Sequence, residues 1–148
     1  MDYAQASQIN DEEMFIRIQK HRENRPPGWE TIEAPLELDK AISGLKGKFD
    51  IILIDCITIY ITNMLLKNEK SEEDVEKHII NAIDRLCKVC KKNPTHVIMV
   101  SNEVGYGIVP DNPLSRRFRD IAGCVNQLIA KEADNVYLVI AGIEMKIK

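Results

Sequence analysis

No run of apolar residues in this 148-residue chain approaches the ~18 that a membrane span requires. Asp55, Thr58, Thr62 and Asn63 interrupt its most apolar region, Ile51 to Leu66. No signal-peptide pattern opens the chain. Its four cysteines, Cys56, Cys87, Cys90 and Cys124, are therefore expected to be reduced thiols in a cytoplasmic protein rather than a disulfide framework. There is no polybasic block and no acidic tail. With a net charge of −3 and acids interleaved with bases, nucleic acid is not the default partner. Internal repeats, low-complexity tracts and linkers are also lacking, so residues 1–148 read as one domain. Finally, no Gly-x-x-x-x-Gly-Lys-Ser/Thr stretch occurs anywhere.

What is present alternates between helical and extended patterns. Hydrophobic residues make up 45% of the chain, enough for a core. Met1 to Ile9 is too polar to read as a central strand on its own. Asn10 or Asp11 is placed to cap a helix to about Glu23, which Arg25-Pro26-Pro27-Gly28 terminates. Trp29 to Pro35 is extended, and Leu36 to Gly44 is a short helix. Phe49 to Asp55 is the clearest strand: four consecutive apolar residues ending in an acid suit a parallel strand buried on both faces. Ile57 to Leu66 reads as helix despite its β-branched residues. Ser71 to Lys92 is amphipathic, with Val75, Ile79, Ile83, Leu86 and Cys90 on its apolar face. A buried strand over Val97 to Val100, a helix over Ser115 to Glu132 and a final strand over Asn135 to Ala141 complete an α/β chain with a mostly parallel sheet.

Three features carry possible chemistry. Ser101 to Pro110 follows an apolar strand, so its polar residues fall at a strand's carboxyl end, where open α/β sheets bind ligands; the alternative is an ordinary strand-to-helix loop. Asp55 ends its strand either as a cap for the next turn or as an acid facing a ligand or Mg²⁺. His21 lies among Arg17, Lys20, Arg22 and Arg25, whose like charge favours a neutral imidazole. A neutral imidazole is a competent nucleophile toward phosphorus; a surface histidine on a basic helix face is the plainer reading. Glu103, Arg116, Arg117 and Arg119 suit phosphate or a neighbouring subunit, although Arg116 reads more simply as a surface partner of Asp111 or Asp120. Cys87-x-x-Cys90 has no second pair at metal-ligand spacing and reads as packed thiols.

Taken in order, the motifs resemble those of one family. They are Ala6-Ser-Gln8, Asp11-Glu-Glu-Met14, Arg17-Ile18 with His21, Arg25-Pro26, Trp29 with Thr31 and Glu33, and Cys56-Ile-Thr58 with Thr62-Asn63. The Ser101–Pro110 loop, Arg117-Phe-Arg-Asp120, Gly123, Asn126-Gln127 and Ala141-Gly-Ile143 follow. From about Tyr3 to Lys148 the chain is similar to the bifunctional adenosylcobinamide kinase / adenosylcobinamide-phosphate guanylyltransferases of cobalamin biosynthesis. The resemblance implies a P-loop-NTPase-like α/β fold, with the family's first strand, phosphate loop and first helix absent from these residues. It implies His21 as the guanylylated nucleophile. It also implies nucleotide contacts from Gln5, Ala6 and Ser7, from Arg22, Glu23, Asn24 and Arg25, and from Glu33 and Asp55. Gln5-Ala6-Ser7 stands where the family usually has Ala-Thr-Ser, and Asp55 where Glu is frequent. GTP or ATP as substrate, Mg²⁺, adenosylcobinamide as the corrinoid substrate and a homo-oligomer are implied with it. A non-catalytic homologue that lacks the phosphate loop and at most binds corrinoid or partner chains is the alternative.

Overall fold

The computed structural model describes residues 2–5, 16, 19, 20, 23, 25–67 and 72–148. Strands β1 (Asp2–Gln5), β2 (Glu30–Glu33), β3 (Ile51–Asp55) and β4 (His96–Val100) form one sheet in the order β2-β1-β3-β4, every pair parallel. Four helices accompany it: α1 (Leu38–Gly44), α2 (Ile57–Lys67), α3 (Glu72–Lys92) and α4 (Pro113–Glu132). Before Arg25, Ile16, Gln19, Lys20 and Glu23 are helical and exposed, as the reading of that segment expects.

The core is built where the sequence is most periodic. Ile52 and Ile54 of β3 are fully buried, whereas Ile51, Leu53 and Asp55 are half-buried, so the strand has one dry face rather than the two expected. Val75, Ile79, Ile83 and Leu86 of α3 are buried as their spacing predicts, and Cys87 joins them. Leu38 and Ile42 of α1, Ile57, Tyr60, Ile61 and Met64 of α2, and Ile121, Ala122 and Val125 of α4 close the same cluster. Two hydroxyls within this core are paired. Tyr60 Oη donates to the Leu36 carbonyl at 3.2 Å, and Thr95 Oγ1 donates to the Phe49 carbonyl at 2.9 Å. Asn112 caps α4, its side chain accepting from Ser115 N–H, with Pro113 at the first helical position.

Two expectations are corrected. Strand β4 is not buried: His96, Ile98 and Val100 are exposed and Val97 and Met99 only half-buried, because among the described residues β4 ends the sheet. An apolar run reads the same at an edge as in the centre. The strand expected over Asn135–Ala141 is β5 (Tyr137–Ile140), and it does not join the parallel sheet. It pairs antiparallel with β6 (Ile143–Lys146) across the two-residue turn Ala141-Gly142, both residues at positive φ, 52° and 77°. Lys148 Nζ then donates to the carbonyls of Ala130, Lys131 and Ala133 at 2.9, 2.9 and 2.6 Å, placing a cation on the carbonyl end of α4.

Candidate functional site

The parallel register brings three of the sequence-predicted residues into one row. Gln5 pairs with Glu33 on one side and with Asp55 on the other, and Asp55 pairs with Val100. Each is the last residue of its strand, so the row is the carboxyl edge of the sheet. At about 4.8 Å between strands, Glu33 and Asp55 stand roughly 10 Å apart across β1. Glu33 is exposed and Asp55 half-buried. The peptide joining Asp55 to Cys56 is cis.

Beside Glu33 lies a cavity of about 480 Å³ lined by Arg25, Pro26, Pro27, Gly28, Trp29, Thr31 and Glu33. The sequence dictates this corner. Pro26 and Pro27 stop the preceding helix, Gly28 turns at φ 95°, where a side chain would be strained, and Trp29 enters β2. Arg25 is half-buried and its Nη1 donates to Thr31 Oγ1, so its guanidinium is oriented along the cavity wall. Glu23 is helical and exposed. His21, Arg22, Asn24, Ala6 and Ser7 lie outside the described residues, as does the side chain of Gln5.

On the other side of Asp55 the chain leaves β4 as an exposed loop, held by contacts that the sequence does not reveal. Asn102 N–H donates to Thr58 Oγ1 at 2.9 Å, tying the loop to the first turn of α2. Asn126 of α4 accepts from Ser101 Oγ at 2.7 Å and donates to the Asn102 carbonyl at 3.1 Å. Glu103 Oε1 accepts from Gly105 N–H at 2.7 Å, and Arg119 Nη2 donates to the Gly105 carbonyl at 2.7 Å. A Cβ on Gly105 would lie 2.7 Å from Glu103 Oε1, so a side chain there would make the Glu103 carboxylate shift. Arg116 is not an ion-pair partner of Asp111 or Asp120 as expected: its Nη1 donates to the carbonyls of Pro110 and Asp111 at 3.0 and 2.5 Å. Arg119 Nη1 is buried with no hydrogen-bond partner among the described residues.

Three of the thiols, Cys56, Cys87 and Cys90, are not poised for chemistry. Burial pushes Cys56 and Cys87 up, and burial with the neighbouring Cys87 takes Cys90 to about 12. All four cysteines are free. Among the described residues no group of three or more His, Cys, Asp or Glu side chains is placed to hold a metal. A site built from one carboxylate plus substrate phosphates is the arrangement Mg²⁺ favours, and Asp55 at the carboxyl edge offers that carboxylate.

Comparison with known proteins gives a consistent result. A family model described as cobinamide kinase / cobinamide phosphate guanyltransferase matches residues 1–147. The bifunctional adenosylcobalamin biosynthesis protein CobU of Salmonella typhimurium is 45% identical over 153 residues, covering 99% of this chain and 84% of that protein. The protein of the same name from Escherichia coli is 41% identical with the same coverage. The bifunctional adenosylcobalamin biosynthesis protein CobP of Pseudomonas aeruginosa is 36% identical over 148 residues, covering 100% of this chain and 82% of that protein.

Proposed function

The chain belongs to the cobinamide kinase / cobinamide phosphate guanyltransferase family, and from that premise we propose that it transfers GMP from GTP, through His21, to a phosphorylated corrinoid. The neutral imidazole of His21 attacks the α-phosphorus of GTP. A P–N bond forms, the bond to the bridging oxygen breaks, and pyrophosphate leaves. A phosphate oxygen of adenosylcobinamide phosphate then attacks the same phosphorus. The P–N bond breaks, the imidazole returns to its neutral form and adenosylcobinamide-GDP is released. The kinase step that precedes this phosphorylates the aminopropanol hydroxyl of adenosylcobinamide from ATP or GTP.

Each named residue has a physical task. Arg25 neutralises phosphate charge and, with Arg22, disfavours a second positive charge on His21. Glu23 and Asn24 continue the nucleotide-contacting segment, and Gln5, Ala6 and Ser7 line the carboxyl end of β1. Glu33 and Asp55 are acceptors for the donor edge of guanine. Alternatively, Asp55 would hold Mg²⁺ in place of that guanine contact, and the ion when bound would supply charge neutralisation at the phosphates. Most of the barrier to phosphoryl transfer is lowered by such positioning and neutralisation. The observation that carries the reading is the single row Glu33–Gln5–Asp55, with the arginine-walled cavity next to Glu33.

Trp29 is the chain's one tryptophan and lines the cavity, so its fluorescence tests the site directly. GTP is expected to quench it in the wild type and to lose that effect in Arg25→Ala. An emission spectrum indifferent to GTP at millimolar concentration would contradict the nucleotide site proposed here.

A further inference from the structure

Arg25 is held at both of its ends. At its root, Pro26 crowds the backbone of the residue before it and narrows that residue toward extended conformations. The turn that follows is closed by Trp29 N–H, which donates to the Pro26 carbonyl at 3.4 Å. At its tip, Arg25 Nη1 donates to Thr31 Oγ1. Thr31 is itself fixed in place: it pairs with Tyr3 in the β1–β2 ladder, and the next residue, Ile32, packs against the core from the opposite face of the strand. Trp29, Thr31 and Glu33 alternate along the chain on the other side, and all three line the cavity together with Arg25.

This fastening does not serve burial. Arg25 and Thr31 are only half-buried, and neither belongs to the core cluster. What it does serve is orientation. A guanidinium is a rigid plane of five N–H donors, so anchoring one nitrogen sets the direction of the whole fork. An unrestrained arginine gives up rotamer freedom when it grips a ligand. One fixed beforehand gives up less, and the difference appears as affinity.

The geometry points to Thr31 as a positioning residue, whose hydroxyl holds the Arg25 guanidinium in the orientation that receives the phosphates of the nucleotide. This rests on the nucleotide reading above, but not on the competence of His21. Thr31 acts through Arg25 and needs only an oxygen acceptor to do so. Valine has the same β-branched shape and suits a strand, yet accepts nothing. Serine keeps the hydroxyl and suits a strand less well. The two replacements therefore separate a positioning role from a structural one.

The test is equilibrium dialysis of the full chain against GTP with Mg²⁺, alongside melting temperatures. Thr31→Val is expected to weaken GTP binding about fivefold, and Thr31→Ser to stay within about twofold of the wild type. The melting temperatures should run the other way, with Thr31→Ser the less stable of the two. In an Arg25→Ala background, Thr31→Val should add no further loss, because its effect passes through the guanidinium. Wild-type affinity in Thr31→Val would overturn the proposal, and so would equal weakening in Thr31→Val and Thr31→Ser. If the wild type binds GTP no better than Arg25→Ala, the nucleotide assignment of Arg25 fails and the positioning role falls with it. If the wild type outbinds Arg25→Ala while Thr31→Val is unaffected, the positioning role alone falls.

Discussion

Isoleucine has opposite fates on two sides of this molecule. Between β3 and helices α1 to α3, Ile42, Ile52, Ile54, Ile57, Ile61, Ile79 and Ile83 are fully buried. On β4 and the β5–β6 hairpin, Ile98, Val100, Tyr137, Val139, Ile140 and Ile143 are exposed. The residue types are alike, so composition does not separate the two regions; topology does. Strand β3 has neighbours on both edges and packs into the core cluster with residues of α1 to α4, whereas among the described residues β4 ends the sheet and the hairpin pairs only with itself. The buried region sets stability, and the exposed one includes the strand from which the 101–111 loop leaves.

The largest effect that sharpens this contrast is a cavity in the buried region. Ile83→Ala, on the inward face of α3, is expected to cost about 2–5 kcal/mol in denaturant unfolding. A loss below ~1 kcal/mol would mean that α3 is not the principal cover of the core. A smaller effect comes from pH. Burial pushes Tyr60 up from 10.0 to about 12 and Cys90 up from 9.0 to about 12. The unfolded chain ionises first as pH rises, while the folded chain holds both protons. The stability these groups contribute is therefore intact below pH 9 and declines as pH approaches 12. Melting temperatures measured from pH 7 to 11 should be level at first and fall above pH 9; a rise across that interval would show that the two groups are not buried in solution. The smallest effect belongs to the exposed side. Val139 is 63% exposed, and Val139→Thr should change stability by less than ~0.5 kcal/mol. A cost near that of Ile83→Ala would mean that a second copy or another chain covers the hairpin in solution.

The buried region was largely legible in the sequence because its signals are local. The spacing of Val75, Ile79, Ile83 and Leu86 and the apolar run ending at Asp55 each specify an element and its dry face without reference to anything distant. The exposed side was not legible for equally concrete reasons. The run His96–Val100 carries no mark of whether a neighbour pairs with its second edge. The β5–β6 turn has Ala141, not Asn or Gly, at its first left-handed position, so the usual hairpin signal is missing. In Ile143–Lys146, Glu144 and Lys146 conceal a strand that the partner residues reveal. The row Gln5–Glu33–Asp55 was nameable only residue by residue. Its alignment is a property of register, which depends on three strands separated by up to 50 positions. The grip of Asn126 on Ser101 and Asn102 joins residues 25 and 24 positions apart and leaves no periodic trace.

The central claim is that His21 carries the nucleotidyl group, and its most direct measurement is incubation with Mg²⁺ and GTP labelled at the α-phosphate. The account predicts acid-labile, alkali-stable label on the wild type, as a phosphoramidate requires, and none on His21→Ala. Equal label on both proteins, or none on a wild type whose Trp29 fluorescence shows GTP to be bound, would contradict it.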